Sequence, residues 1–348
     1  MAPAMTGGVK SMIAGNSGLT VAAGLARGLF DLAVSKGADP AALAARSGIA
    51  PADLADQDKR IAFENYVKLM RAGKELTGDA ALALHYGEIS DMSKFSVVGL
   101  LAEASETFVE AMAQLNRYGR LVIEFDGGPD RFTAVNDATG LWVVDNRAHP
   151  NDFPELTEST FARMICGPRR FAGLQTARAV HVTHAAPPYV SEYERIYGAP
   201  VTFGAARNAI LMDPAAMGHR IQLQPRYTFG ILASHADQLL KSLENSKTMR
   251  GRVESLLMPI LHTGTASMDL VASKLAMSRQ TLFRRLKDEG VTFEKVLDDL
   301  RHRLAVDYLG ARRVSVNEAA YLVGFSDPAA FSRAFKRWTG TSPRKRSQ

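Results

Sequence analysis

The most constraining feature of this chain is a repeat near its C-terminus. Residues 271–287 have the sequence VASKLAMSRQTLFRRLK, and residues 319–336 have the sequence AAYLVGFSDPAAFSRAFK. A shift of 48 residues aligns Ser278 with Ser326, and beyond the turn a shift of 49 residues aligns the apolar and basic positions. Each copy predicts a short helix, a tight turn opened by a serine, and a second helix, which together form a helix-turn-helix unit.

The second helix of each copy has an apolar side and a polar, mostly basic side, as its spacing at about 100° per residue shows. The inner positions are Leu282 and Leu286 in the first copy, and Phe331 and Phe335 in the second. The outer positions are Gln280, Arg284 and Lys287, and Ala329, Arg333 and Lys336. Arginine can bond guanine or phosphate, glutamine can pair with adenine, and alanine can touch a thymine methyl group. The repeat therefore predicts two recognition helices that enter adjacent major grooves of double-stranded DNA.

We predict that the DNA contacts come from the start and the outer face of these two helices. The candidate residues are Ser278, Arg279, Gln280, Thr281, Arg284 and Lys287, and Ser326, Ala329, Ser332, Arg333, Lys336 and Arg337. Ser278 and Ser326 have no His–Asp context, so we predict helix N-caps rather than nucleophiles. The alternative is that both faces are ordinary solvated helix surfaces, and the match between the two copies argues against it.

The distribution of charge supports a polyanionic partner. Residues 249–348 contain 18 Lys and Arg against 10 Asp and Glu, whereas the whole chain has a formal net charge of +6. A basic module gains affinity for a polyanion by releasing counterions. A membrane surface is the competing polyanion, but it favours one continuous amphipathic helix, and here the basic residues are spread over several short ones. We therefore expect DNA, and no membrane, as the partner.

Residues 249–346 resemble the DNA-binding domain of AraC/XylS-type transcriptional regulators. The resemblance rests on matching positions in two halves, which are Ala272, Ser278, Leu282, Arg284, Gly290 and 301–305, and Ala320, Gly324, Phe325, Phe331, Arg333, Phe335, Lys336, Trp338, Gly340, Ser342 and Pro343. The family often has Tyr-Arg shortly after Ser-Pro, where this chain has Arg344, Lys345 and Arg346. We therefore expect its final helix to be short or missing.

Composition limits the remaining possibilities. The 348 residues, 46% of them hydrophobic, predict two or three domains with substantial cores. The single cysteine, Cys166, excludes an internal disulfide and fits a reducing compartment. The first residues lack the apolar core of a signal peptide, and no apolar run approaches the roughly 18 residues of a membrane span. We expect a cytoplasmic protein.

The chain is predicted to be mostly α-helical, with an α+β part that contains a small antiparallel sheet and an all-α C-terminal domain. The predicted segments are a flexible N-terminus at 1–18, a domain at 19–213 whose effector-sensing and dimerisation role is implied by the resemblance described next, a linker at 214–248 and the DNA-binding domain at 249–348. The predicted helices of the sensor part include 60–76, 105–118, 153–171 and 190–197. The predicted strands are a meander at 121–125, 131–135 and 141–145, followed by 177–182, 201–203 and 209–212.

The region 20–210 resembles the ligand-sensing domain of the arabinose-operon-regulator-like subfamily. The resemblance is diffuse and lies in GADPAALAARSGI, RIAFENYVKLMRAGKELTGDAALALHYG and GLLAEASETFVEAMAQLNRYGRLV. It implies a small-molecule effector and a homodimer, and it makes RNA polymerase a further partner of an activator. Within the DNA-binding part, we predict that the inner stripe of a long helix at 293–309 joins the two units through Leu297, Leu300, Leu304 and Tyr308.

Other candidate sites are weaker. His181 and His184 face opposite sides of a strand at a spacing of three, so we predict packing and no metal site. No phosphate-binding glycine loop occurs, and we expect no cofactor. A set of acidic and basic residues can line a pocket for a polar metabolite, or form a solvated helix face, which we favour: Asp145, Glu155, Glu158, Arg147, Arg163 and Arg169.

Three classes of function remain open at this point. The first, which we favour, is an effector-responsive transcription factor that is not an enzyme. The second is a DNA-binding module fused to a thiol-dependent enzyme, which needs an activated Cys166; we expect this thiol to be buried instead. The third is an architectural DNA-binding protein without an effector, for which the large and nearly neutral N-terminal part has no use.

Overall fold

A computed structural model describes residues 18–220, 225–310 and 314–343. The chain divides into two compact units, Met1–Leu240 and Lys241–Gln348, and the division falls inside one helix, Arg226–Lys247. The predicted fold class is confirmed, because the first unit combines helices with small sheets and the described part of the second unit is all-helical. The predicted segment 1–18, apart from Gly18, and the residues after Pro343 lie outside the described residues. The predicted domain boundaries stay predictions.

Counted with the helix that crosses the division, the first unit contains ten α-helices and seven strands among its described residues. The helices are α1 Ala23–Ser35, α2 Pro40–Ser47, α3 Phe63–Thr77, α4 Leu82–Ile89, α5 Val97–Ala104, α6 Phe108–Val122, α7 Pro154–Ala172, α8 Val190–Tyr197, α9 Pro214–Met217 and α10 Arg226–Lys247. The strands are β1 Thr20–Ala22, β2 Arg60–Ala62, β3 Phe132–Asp137, β4 Gly140–Asp145, β5 Ala177–His181, β6 Val201–Thr202 and β7 Ala209–Met212. None of the described helices is both long enough and apolar enough to cross a membrane.

The main sheet has five strands in the order β3-β4-β7-β5-β6. Its neighbours are antiparallel except for β5 and β6, which run parallel, so the predicted antiparallel sheet is in fact mixed. The central strand β7 is buried along its whole length. Ile210 belongs to the same core cluster as Phe161 of α7, whereas Ala209 and Leu211 pack with Trp142. Alternate side chains of β7 therefore fill two different clusters, as the two-residue period of a strand requires.

The predicted strand at 121–125 is wrong. Helix α6 continues to Val122, and Tyr118 and Val122 are buried one turn apart. Only Ile123 makes an isolated bridge, to Val21. The meander is therefore a two-stranded hairpin, β3 and β4, that β7 extends. The helix predicted from residue 105 begins instead at Phe108, because the side chain of Thr107 caps it.

The helix predicted at 60–76 begins later than expected, at Phe63. Residues Arg60–Ala62 form β2, which pairs antiparallel with β1. The guanidinium of Arg60 strengthens this pairing, since Nη2 donates to the main-chain oxygen of Thr20 at 3.0 Å and Nε donates to its hydroxyl at 2.9 Å. The partner strand lies 40 residues away along the chain, so local periodicity does not reveal it.

The second unit contains six described α-helices around one core. They are α11 Met249–Leu257, α12 Met268–Lys274, α13 Arg279–Asp288, α14 Phe293–Gly310, α15 Val316–Leu322 and α16 Pro328–Thr339. Helix α14 agrees with the predicted helix at 293–309. Its predicted inner stripe is only partly right, because Leu300 is fully buried whereas Leu297, Leu304 and Tyr308 are partly buried. The other fully buried positions are Phe293, Val296, Ala305 and Leu309, since α14 is covered by helices on more than one side.

Truncation of the core and truncation of the surface of α16 should have opposite effects on folding. Phe335 is fully buried and the adjacent Lys336 is exposed. In a fragment that contains Lys241–Gln348, Phe335→Ala should cost about 3–5 kcal/mol, a large part of the roughly 5–15 kcal/mol of a small domain. Lys336→Ala should leave the melting temperature nearly unchanged and reduce the salt dependence of DNA binding. Circular dichroism melts test this assignment, which a stable Phe335→Ala fragment or an unfolded Lys336→Ala fragment would contradict.

Candidate nucleic-acid interface

Both helix-turn-helix units turn through the same main-chain geometry. In the first turn Ala276 has a left-handed φ of 52°, and the N–H of Met277 donates to the carbonyl of Ala272 at 3.0 Å. In the second turn Gly324 has a φ of 78°, and the N–H of Phe325 donates to the carbonyl of Ala320 at 2.9 Å. This six-to-one hydrogen bond closes the end of the first helix in each unit. The sequence repeat is thus also a repeat of backbone conformation.

The two left-handed positions differ in how strictly they need glycine. A Cβ atom on Gly324 would lie 2.2 Å from the carbonyl oxygen of Leu261, so only glycine fits there. The first turn carries alanine at the equivalent position, and Ala276 is the one non-glycine with positive φ in the part of the chain that the structure describes. A left-handed alanine costs roughly 1–2 kcal/mol relative to a relaxed conformation. The first turn therefore stores strain that the second turn avoids.

The N-cap of each recognition helix explains why the repeat shifts from 48 to 49 residues. In the first helix-turn-helix unit the predicted N-cap is confirmed, since the hydroxyl of Ser278 accepts the N–H of Thr281 at 3.1 Å. In the second helix-turn-helix unit the prediction that Ser326 is the N-cap is wrong. Asp327 caps α16, and its two carboxylate oxygens accept the N–H groups of Ala329 and Ala330 at 2.9 and 3.0 Å. Ser326 is therefore the extra residue, and one carboxylate satisfies two helix-end donors where a hydroxyl satisfies one.

The predicted inner faces of the two recognition helices are confirmed. The side chains of Leu282, Leu286, Phe331 and Phe335 are all buried in the core of the second unit. The rings of Phe331 and Phe335 contact each other at a centroid distance of 5.7 Å. Because these four side chains point inward, the opposite side of each helix is available to a ligand.

The candidate DNA-contacting residues mostly lie on those outward sides. The exposed candidates are Ser278, Arg279, Gln280, Arg284 and Lys287 of the first helix-turn-helix unit, and Ser326, Ala329, Arg333, Lys336 and Arg337 of the second helix-turn-helix unit. Half-buried residues are Thr281 and Ser332. The structure thus brings each set of candidates together on one helix face, while their roles in DNA contact stay predictions.

The cations on these faces either form an ion pair within the protein or form none. Three arginines pair with carboxylates of the C-terminal compact unit, and the pairs are Arg279 with Asp269 at 3.0 Å, Arg337 with Asp298 at 2.9 Å, and Arg333 with Asp327 at 3.8 Å. Exposed pairs of this kind contribute only about 0–1 kcal/mol, so phosphate can replace the carboxylates. Arg284, Lys287 and Lys336 form no ion pair with any described residue. These three cations are therefore available to a ligand without the loss of an ion pair.

The long helix α14 holds the second helix-turn-helix unit in place through polar contacts as well as through the core. The guanidinium of Arg301 donates to the carbonyl oxygens of Val323 and Gly324 at 3.1 and 3.3 Å. It also lies over the ring of Phe325, 4.9 Å from the centroid. Burial lowers the pKa of Arg301. Arg301 thus links the turn of the second helix-turn-helix unit directly to α14, because its N–H groups donate to the carbonyl oxygens at the end of α15.

One residue of the first recognition helix was missed from the sequence. Phe283 is 53% exposed on the outward side of α13, next along the surface to Lys287. A shift of 49 residues aligns it with the candidate Ser332. An aromatic ring at this place can contact a thymine methyl group. The signal was present in the sequence, since Phe283 is a large apolar residue out of phase with Leu282 and Leu286.

The acidic and basic residues considered for a polar pocket do not form a solvated face. Asp145 is buried, and although burial alone would raise its pKa, the guanidinium groups of Arg131 and Arg147 hold it below the usual value. Glu158 is also buried and accepts hydrogen bonds from the hydroxyls of Tyr189 and Tyr193. The preference for a solvated face is therefore wrong. Nor do the six share one pocket, since Glu155 pairs with Lys74 and Arg169 donates to Gln175 and to main-chain oxygens.

The remaining candidates take structural positions. The ring of His181 packs on Trp142 at a centroid distance of 4.5 Å, and His184 lies beyond the end of β5, close to the ring of Tyr193. In the described ranges, no three His, Cys, Asp or Glu side chains are placed to hold a metal ion. Cys166 is buried, as expected, and burial raises the pKa of its thiol. Its Sγ faces the carbonyl of Ile196 at 3.5 Å.

Two helix-turn-helix units on one core, with basic outer helix faces, define a DNA-binding transcriptional regulator. Comparison with known families agrees. Residues 37–221 match the arabinose-binding domain of AraC transcription regulators, and residues 271–347 match a helix-turn-helix domain. The first match alone covers more than half of the chain. The protein belongs to the AraC-type transcriptional regulators, with a ligand-binding N-terminal domain and a sequence-specific DNA-binding C-terminal domain.

Relatives extend over nearly the whole chain. The ornithine utilization regulator of Pseudomonas aeruginosa is 26% identical over 91% of this chain and 93% of its own length. The regulator VirS of Mycobacterium tuberculosis is 25% identical over 91% of this chain and 93% of its own. The crystal structure of the transcriptional regulator CdpR from P. aeruginosa aligns with 80% of this chain and 90% of its own, with 22% identity and a TM-score of 0.39.

Removal of either central arginine should weaken DNA binding. Arg284 and Arg333 are exposed at equivalent outward positions of α13 and α16. Arg284→Ala and Arg333→Ala should each cost about 1–3 kcal/mol of specific binding, at base pairs roughly one helical turn apart. Gel-shift titrations and footprints on the cognate operator measure both effects. Lys295→Ala, which removes the same charge from α14, is the matched control. Wild-type affinity in both arginine variants would show that the recognition helices are assigned wrongly.

The left-handed positions should respond in opposite directions to exchange of glycine and alanine. Gly324→Ala should destabilise the second unit by at least about 2 kcal/mol, because it adds both backbone strain and a clash with the carbonyl of Leu261. Ala276→Gly should stabilise it, or leave it unchanged within about 1 kcal/mol, because strain is relieved while the unfolded chain gains entropy. Urea unfolding of both variants is the measurement. Equal destabilisation by the two changes would contradict the proposed turn geometry.

Proposed function

We propose that this protein is a homodimeric, effector-responsive regulator whose two recognition helices occupy adjacent major grooves of one operator half-site. A small molecule binds in the N-terminal unit and shifts it between two states, which changes how DNA is occupied. The observation that carries the proposal is a cavity of about 200 Å³ inside the first unit, between α5, α6 and α7. A DNA-binding protein that needs no signal has no use for such a cavity, which argues against the architectural alternative.

The spacing of the two grooves follows from the shared core of the second unit. Leu282 of α13 and Phe331 of α16 belong to one core cluster, to which α14 contributes Val296 and Leu300. Two recognition helices held by one core keep a constant separation. Adjacent major grooves on one side of DNA are about 34–36 Å apart, and the proposal requires the two helices to match that distance.

An exposed stripe on α10 supports pairing with a second copy. Tyr227 is 80% exposed and Ile231 is 55% exposed, and Ser234 and Gln238 continue the stripe at helical spacing. Large apolar side chains on the surface of one helix face are typical of a protein interface. Pairing through this face also matches the effector-sensing and dimerising role that we propose for the N-terminal unit.

Catalysis is not part of the proposed function. The enzyme alternative required an activated Cys166, and this thiol is buried with a raised pKa, which is the opposite of activation. We propose a cytoplasmic location and, for an activator, contact with RNA polymerase. The effector acts without a further cofactor in this scheme.

The effector is the part of the proposal to test first. A thermal-shift screen of amino acids, sugars, fatty acids and aromatic acids on the full chain should give at least one compound that raises the melting temperature, because a ligand stabilises the state that it binds. The same compound should change the operator affinity in a gel-shift titration. A regulator whose DNA binding responds to none of these compounds would support the architectural alternative.

Disruption of the α10 stripe should break the dimer. Ile231→Asp places a charge in the proposed interface, whereas Val109→Asp places the same charge on an equally exposed residue of α6, 52% exposed. Ile231→Asp should produce a monomer in analytical ultracentrifugation and weaken binding to a paired operator at least tenfold, because the second half-site loses its effective concentration. Val109→Asp should change neither property. A dimeric Ile231→Asp variant would move the interface elsewhere.

A further inference from the structure

One face of helix α7 forms a wall of the cavity in the first unit. The residues that it contributes recur at helical spacing and are Thr160, Arg163, Met164, Gly167, Pro168, Arg170 and Phe171. The opposite wall includes Phe108, Met112 and Leu115 of α6. Aromatic, aliphatic and methionine side chains dominate this lining, and such a surface favours an apolar body rather than a sugar. An apolar cavity of about 150 Å³ is known to admit benzene, so about 200 Å³ suits a ring or a short chain with one small polar group.

The cavity lining includes Arg163, whose guanidinium has an unused donor. Nη1 of Arg163 is buried and has no hydrogen-bond partner among the described residues. The guanidinium lies over the ring of Tyr86, 5.3 Å from its centroid. By contrast Arg170, the other arginine of the lining, donates to the main-chain oxygens of Ser90 and Glu88. A buried, charged donor without an acceptor is costly, so the state with an acceptor bound is favoured.

Further donors without acceptors lie behind the same wall. Thr160, which lines the cavity, accepts a hydrogen bond from Nη2 of Arg131 at 3.1 Å, while Nε of that arginine has no partner among the described residues. The buried hydroxyl of Tyr66 also has none there. Burial raises the pKa of Tyr66 to about 12, against the opposing effect of the guanidinium groups of Arg163 and Arg131. Two cations and a hydroxyl therefore stand close together on the α7 side.

The acidic residues of the lining lie on other segments. Asp91 belongs to the turn before α5, where it accepts from the hydroxyl of Ser93 at 2.7 Å and pairs with Lys94 at 3.4 Å. Glu103 is half-buried near the end of α5. An anionic group of a ligand is thus repelled from the α5 side and attracted to the α7 side. The charges of the cavity orient a ligand as well as bind it.

We propose that the effector is a small carboxylic acid with an aliphatic or aromatic body, whose carboxylate binds Arg163 and whose body fills the cavity between α6 and α7. The proposal rests on the proposed function, because it takes this cavity as the effector site. A carboxylate matches the fork of a guanidinium and supplies the acceptor that Nη1 lacks. The mostly apolar walls leave too few partners for the several hydroxyls of a sugar, some of which would stay without hydrogen bonds.

The test compares acids with neutral compounds of the same shape. The full chain is titrated calorimetrically with octanoate and octanol, and with 3-phenylpropanoate and 3-phenylpropanol. At least one acid should bind ten or more times tighter than its alcohol. Arg163→Met should remove that difference and leave the affinity for the alcohol unchanged, whereas Arg163→Lys should retain part of it. Acids and alcohols that bind equally, or an Arg163→Met variant that keeps the preference for the acid, would overturn the proposal.

Two variants of the same cavity serve as controls. Glu103→Gln removes a charge from the lining without touching Arg163, so acid binding should be unchanged or tighter. Gly167→Leu should abolish binding of both compounds, because a Cβ on Gly167 has no atom within 4 Å and the new side chain can occupy the cavity. Its melting temperature verifies that the fold is kept. Weaker acid binding in Glu103→Gln, or unchanged binding in a folded Gly167→Leu variant, would place the ligand elsewhere and overturn the proposal.

The outcomes separate this inference from the broader function. If an acid binds through Arg163 and the operator affinity does not change, the effector-responsive function fails and the carboxylate site stands. If no acid binds, while an amino acid or a sugar changes the operator affinity, the carboxylate site fails and the function stands. Gel-shift titrations run with the same compounds and variants distinguish these two results.

Discussion

The packing of both helix-turn-helix units against helix α14 is the constraint on which DNA recognition by this protein depends. Val296, Leu300, Ala305 and Leu309 are buried in the same core that receives the inner side chains of α13 and α16. Arg301 adds polar contacts to the second turn. Because protein cores are close-packed, neither recognition helix can shift without disturbing the other. The two basic faces are therefore presented as one rigid surface, which is what two adjacent grooves require.

The N-terminal compact unit, Met1–Leu240, differs in that its interior contains charged groups. Its helices and its five-stranded sheet bury several charged groups, and most of these satisfy one another, as Asp145 does with Arg131 and Arg147. Arg163 is the exception that coincides with a cavity. Elsewhere an unsatisfied buried donor is only a cost, but beside an empty volume it becomes a source of ligand affinity. In our proposal the ligand-binding domain gains its response from this local deficit, because ligand binding then favours one state over another.

Local sequence signals succeeded where the chain interacts with near neighbours. The cap at Ser278 and the inward Leu282 and Phe335 were all predicted from spacing and residue type, because caps and helix faces depend on residues within one or two turns. Local sequence signals failed where contacts with residues far along the chain determine where an element begins or ends. The start of α3 depends on pairing between β1 and β2, and the end of α6 replaced a predicted strand, although both segments had plausible local patterns.

The sequence by itself determined the class of the protein, since a repeat that spans about 48 residues and carries matching apolar and basic positions specifies two recognition helices whatever surrounds them. Only the tertiary structure decided why glycine is needed at residue 324 and which of several arginines meets a cavity. Leu261 and the wall of α7 supply those answers. Each is a contact between groups whose positions are set by packing, and the hydrophobic period of a helix carries no information about the neighbours that it will meet.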